Sequence, residues 1–225
     1  MEPTRVSDVF AVVAFLALTL AVVARFQGYL VSGDWWMIPA ALVVGWLAAD
    51  FVSGFVHWLG DTWGSVDMPV LGKRFIHPFR DHHVDPKGIT RHDFWRTNAN
   101  NCLVSLPVLL LMLVLPLGLE SPLLLFLGYS FLSMIFWVFL TNQIHKWSHM
   151  ATPPPVVRPL QRMGVFLNTD HHDVHHAAPY SANYCITSGA LNPVLEHLQF
   201  FRRLERLVTR VTGLTPRRDE MNDPA

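Results

Sequence analysis

Leu123 to His149 reads LLLFLGYSFLSMIFWVFLTNQIHKWSH, a mostly apolar run with no charged residue before Lys146, which turns continuously polar from Thr141 to Gln143 and ends in two histidines four residues apart. A helix needs about 20 residues to cross a hydrocarbon core of ~30 Å, and this one exceeds that length. On a helix, residues four apart share a face, so His145 and His149 present both imidazoles together where the span leaves the membrane. The stretch therefore predicts both a transmembrane helix and a ligand pair at its end.

Three more apolar runs have spanning length: Val9 to Phe26, Trp35 to His57 and Cys102 to Leu119, beside Leu123 to His145. The first also has the outline of a signal peptide, with Arg5 ahead of it and Ala24 at a possible cleavage point. Its length favours a span. A chain of 225 residues with 51% hydrophobic and 15% charged residues and no net charge fits one membrane domain spanning 1–225. It lacks the basic surplus that nucleic-acid binding requires.

Basic residues set the orientation, because they stay on the cytoplasmic side. The loop from Gly60 to Asn101 carries Lys73, Arg74, Arg80, Lys87, Arg91 and Arg96. The tail carries Lys146, Arg158, Arg162, Arg202, Arg203, Arg206, Arg210, Arg217 and Arg218, whereas the linkers at 27–34 and 120–122 carry none. Both termini and a cap formed by 60–101 and 149–218 are thus expected in the cytoplasm. There Cys102 and Cys185 would stay reduced. The fold class is an all-α membrane protein: four transmembrane helices, a cytoplasmic histidine-rich cap and an amphipathic C-terminal helix.

For that last helix, Val194, Leu198, Phe201, Leu204, Val208 and Val211 recur opposite Arg202, Arg203, Arg206 and Arg210. The pattern suits a helix lying in the headgroup layer or one covering the cap. Pro153, Pro154 and Pro155 end the fourth span.

The chain has 12 histidines, most of them crowded into short segments. Asp170-His-His-Asp-Val-His-His holds His171, His172, His175 and His176, pairing 171 with 175 and 172 with 176. His145 and His149 repeat the spacing, the loop adds His77, His82, His83 and His92, and the second helix ends in His57. One metal takes three to five such ligands as a rough coordination count. This many imidazoles point to two metals. Carboxylates at Asp61, Asp81, Asp93, Asp170 and Asp173 can accept the distal N–H of a ligand ring. Asp61, one turn from His57, is the leading candidate for that catalytic support or for a ligand. His197 reads as an ordinary surface residue.

The boxes His145 with His149, and His172 with His175 and His176, resemble those of the membrane fatty-acid desaturase and hydroxylase superfamily. A narrower resemblance rests on Gly54-Phe-Val-His-Trp, Asp61-Thr-Trp-Gly, Phe79-Arg-Asp-His-His, Ile89-Thr-Arg-His-Asp-Phe, Asn142-Gln-Ile-His-Lys-Trp-Ser-His and Tyr184-Cys-Ile-Thr. From about Ala49 to about Pro216 the chain is similar to the plasmanylethanolamine desaturase family, also called Kua or CarF. The resemblance implies two non-haem iron ions, dioxygen as oxidant, and conversion of an alkyl-ether phospholipid to its vinyl ether. It implies as metal-holding residues His57, His82, His83, His92, His145, His149, His171, His172, His175 and His176; His77 is not carried over.

No flavin or nicotinamide fingerprint is present, so an external donor is expected: a ferredoxin, cytochrome or reductase at the basic face. The alternatives are desaturation or hydroxylation of a phospholipid acyl chain, a zinc hydrolase, disfavoured by the missing HExxH glutamate, and a metal transporter, disfavoured by apolar helix centres.

Overall fold

A computed structural model describes residues 4–31 and 33–217, and among them every regular element is helical. In chain order these are α1 (Val6–Gln27), α2 (Met37–Thr62), a π-helical turn (Gly72–Ile76), α3 (His77–Val84), a 3-10 segment (Pro86–Arg91), α4 (Phe94–Val114) and α5 (Pro122–Ser148). The rest are α6 (Val157–Arg162), α7 (Thr169–His175), α8 (Asn192–His197) and α9 (Phe200–Thr212). Helices α1, α2, α4 and α5 are each long and apolar enough to cross a membrane, which makes this an integral membrane protein. Arg218, counted above with the basic tail, lies outside the described residues.

The described residues divide into two compact units, one within 1–49 and 92–143 and the other within 50–91 and 144–217. In the first, α1 packs along α4 around Val12, Phe15, Val22, Phe26, Leu109 and Met112. Phe15 tilts against Phe139 at 4.8 Å and Phe26 meets Tyr129 edge-on at 5.5 Å. Arg25 closes this unit: its guanidinium donates to the carbonyls of Met112 and Leu115, which the end of α4 leaves unpaired.

Helix α4 begins eight residues before the expected Cys102. Asp93 caps it by accepting from Arg96 N at 2.9 Å. The polar residues that masked this first turn are paired inside the unit: Asn98 donates to Phe94 O and Gln143 Oε1, Asn101 to Val138 O, and Asn142 to Thr97 O. A polar side chain is tolerated in an apolar helix when its partner comes with it.

The second unit has its own apolar centre, where Trp58, Tyr184, Cys185, Leu195 and Phe201 are buried. The expected C-terminal helix is interrupted, because Gln199 takes a left-handed conformation (φ 47) that separates α8 from α9. The inner face of α9 turns onto the protein: Phe201 lies tilted against Trp58 and edge-on to Tyr184, Leu204 and Val208 pack behind it, and Trp58 Nε1 donates to Glu205 at 3.2 Å. This is the covering role, with Arg202, Arg203 and Arg206 on the outside. Val194, Leu198 and Val211 are exposed and do not join that face.

Candidate metal centre

Both sets of candidate ligands lie within the second unit. The first comprises His82 from α3, His145 from α5, His149 just beyond it, His172 from α7 and His176 at the α7 terminus, with one ring nitrogen from each within 4.8 Å of all the others. The second comprises His57 and Asp61 from α2, His83 from α3 and His175 from α7, equally close. The doublets explain the partition. Adjacent residues on a helix point about 100° apart, so His82 joins the first set and His83 the second. The sets adjoin, with the His83 and His176 rings 5.0 Å apart.

In the first set the Nε2 atoms turn toward one another. His172 Nε2 lies 2.8 Å from His145, 2.9 Å from His149 and 3.1 Å from His176; His149 Nε2 also lies 3.0 Å from His82 and 3.1 Å from His145. One nitrogen with at most one proton cannot satisfy three such neighbours, whereas a shared cation satisfies all of them. In the second set both Asp61 oxygens are buried without a hydrogen-bond partner. They lie 3.4, 3.2 and 3.4 Å from Nε2 of His57, His83 and His175. A buried carboxylate without such bonds is costly unless a charge compensates it. These donors fit a pair of metal ions.

Electrostatics keep the imidazoles ready to bind. Burial first, then the neighbouring rings, pushes His149 down to about 4 and holds His82, His172 and His176 well below the ordinary histidine range. At neutral pH they are uncharged, with lone pairs to donate. Two rings are also fixed in orientation. His57 Nδ1 donates to Tyr184 O at 3.2 Å and His175 Nδ1 to Ala182 O at 2.8 Å. A carbonyl can only accept, so the proton sits on Nδ1 and Nε2 is left free for a metal.

Of the residues expected from sequence, His57, Asp61, His82, His83, His145, His149, His172, His175 and His176 come together. His92 and His171 belong to neither set. His92 is half-buried just ahead of α4. His171 turns its Nε2 to the Asn192 amide at 2.9 Å. His77 is exposed and paired with Asp81 at 2.7 Å, and His197 is exposed on α8.

Asp50 is a site residue that the sequence reading passed over. It is fully buried on α2 and accepts from three backbone N–H groups of 188–191. A carboxylate inside an apolar helix was the available signal. Asn192, joined to Cys185 and His171, carried no comparable mark.

Residues 46–219 match the model of the lipid desaturase domain. The chain is 52% identical over 221 residues to a plasmanylethanolamine desaturase of Myxococcus xanthus, covering 98% of this chain and 78% of that protein. It is 48% identical over 190 residues to plasmanylethanolamine desaturase 1 of Mus musculus, covering 82% and 70% respectively. The chloroplastic fatty acid desaturase 4 of Arabidopsis thaliana is 36% identical over 206 residues, 90% of this chain and 60% of that one. No solved structure matches. With three quarters of its length inside that domain and two such relatives, the chain belongs to the lipid desaturase family.

Proposed function

We propose that this protein is a di-iron, dioxygen-dependent desaturase that converts the alkyl-ether chain of a phospholipid, plasmanylethanolamine, into a vinyl ether. The observation that carries this reading is the pair of adjoining ligand sets, one of five imidazoles and one of three imidazoles and a carboxylate. The substrate class is supported by the two relatives named for that reaction.

The methylene next to an ether carbon has no acidic proton and no leaving group, so neither a base nor a nucleophile can start the reaction. Bound iron supplies the activation of dioxygen that hydrogen removal from such a carbon requires. The balance is one lipid, one dioxygen, two electrons and two protons giving one vinyl ether and two waters. The electrons come from a separate ferredoxin, cytochrome or reductase.

His82, His145, His149, His172 and His176 would hold one ion, and His57, Asp61, His83 and His175 the other. Tyr184 O and Ala182 O keep His57 and His175 in the tautomer that exposes Nε2. The Asp61 carboxylate supplies negative charge to an otherwise neutral set. The concentration of basic residues in 60–101 and after α5 supports a cytoplasmic site, where a soluble donor can reach it.

Lipid analysis of a plasmalogen-free host expressing the chain tests the proposal. A vinyl-ether lipid in place of the alkyl-ether precursor is the expected result. A hydroxylated ether lipid with no alkene, or an acyl-chain alkene with the ether untouched, would overturn it.

A further inference from the structure

Helix α2 holds the segment 186–191 through two side chains. Asp50 Oδ1 accepts from Ser188 N at 2.7 Å and Gly189 N at 2.9 Å, and Oδ2 from Leu191 N at 3.0 Å. One turn on, Ser53 Oγ accepts from Ile186 N at 3.1 Å while donating to Asp50 O at 2.7 Å. Charge-assisted bonds of this kind offset the cost of burying the carboxylate, and their number fixes the path of the segment.

Asn192 ties the two ends of the segment together. Its Oδ1 accepts from Cys185 N at 2.9 Å and its Nδ2 donates to Cys185 O at 3.0 Å. A backbone N–H can only donate, so this pair settles which end of the amide is oxygen. The second N–H of Nδ2 therefore points at His171 Nε2, 2.9 Å away, and that nitrogen must accept. Its lone pair is committed.

Gly189 allows the approach: its φ is +76, and a Cβ there would fall 2.7 Å from His171 Nε2. At the other end of the segment Tyr184 O receives the His57 Nδ1 proton. Asn183 Nδ2 donates to His171 O at 3.2 Å, and Asn168 caps α7 by accepting from His171 N at 2.8 Å.

We infer that Asp50, Asn192 and His171 form a positioning assembly for the metal-holding imidazoles, in which His171 serves as a hydrogen-bond acceptor and not as a metal ligand. One end of the segment orients His57. The other registers α7, which carries His172 and His175, against α2. The inference rests on the two-metal reading above.

Cobalt(II) titration of the purified full chain, followed by its visible absorption, tests it without turnover. Wild type takes up two cobalt ions, one for each ligand set. His171→Ala still takes up two but binds them more weakly by roughly 10- to 100-fold, while His171→Gln, whose carbonyl can accept from Asn192, stays within about threefold of wild type. Asp50→Asn turns an amide donor toward a backbone donor and should weaken binding as His171→Ala does, again with two sites.

Loss of one cobalt in both His171 variants, as expected for the ligand variant His172→Ala, would overturn the inference. So would a His171→Ala titration superimposable on wild type. Failure of wild type itself to bind two cobalt ions overturns the two-metal reading, and the inference with it.

Discussion

Asp61 stands one helical turn beyond His57 on α2, and its Oδ2 approaches Nε2 of both His57 and His175 to 3.4 Å while its Oδ1 approaches that of His83 to 3.2 Å. One carboxylate thus faces three imidazoles from three helices, all of them buried or nearly so. Asp61→Asn keeps the shape and removes the charge. We expect it to lower metal affinity at the second set by about 10- to 100-fold, with a matching loss of product, measured by metal titration beside lipid analysis. Wild-type affinity in Asp61→Asn would remove the carboxylate from the site.

In the first set His172 and His149 each bring Nε2 within 3.1 Å of three other rings. His172→Ala and His149→Ala are expected to lose bound iron and all detectable vinyl-ether product. His197→Ala and His77→Ala, both at exposed positions outside the two sets, should keep metal and activity with stability changes within about 0.5 kcal/mol. Metal analysis and thermal unfolding of the four purified variants check this.

Much of this site could be read from residue order. The HxxxH spacing at the end of a long apolar run leads to the expectation that His145 and His149 share a face, and the two rings do meet, 3.1 Å apart at Nε2, with His145 on α5 and His149 just past its last residue. The doublets at 82–83 and 171–172 looked alike in sequence but behave differently. His82 and His83 serve one set each, whereas His171 faces Asn192. That difference comes from residues 183–192, an irregular segment whose path is set by Asp50 and Ser53 more than 130 positions earlier. Periodicity carries no information about such a contact. The early start of α4 was hidden for a related reason, since Asn98 and Asn101 look like loop residues until their partners on α5 are known.

Gly54 meets the same segment from α2. A Cβ there would lie 2.5 Å from Cys185 Sγ and 3.1 Å from the Cys185 backbone. Gly54→Ala should destabilise the fold by about 1–3 kcal/mol, read as a lower midpoint of thermal unfolding. Adding Cys185→Ala should recover part of the loss by removing the sulfur, while the backbone contact remains. Full stability of Gly54→Ala alone would show that the two elements are less tightly apposed.

Burial pushes the Cys185 thiol well above its ordinary range, and the Asp50 carboxylate nearby adds to the shift. A thiol held protonated is a poor nucleophile. Maleimide labelling of the native protein at neutral pH should therefore spare Cys185, with reaction appearing on unfolding. Rapid native labelling would place that thiol at an accessible surface.

The adjoining ligand sets imply side-by-side binding of two metal ions in the second compact unit. Elemental analysis of the purified chain, loaded with ferrous iron under anaerobic conditions, tests it most directly. Two irons per chain are expected in wild type, matching the two ligand sets, with a clear drop in His172→Ala. A single zinc with no iron, or undiminished iron in His172→Ala, would contradict it.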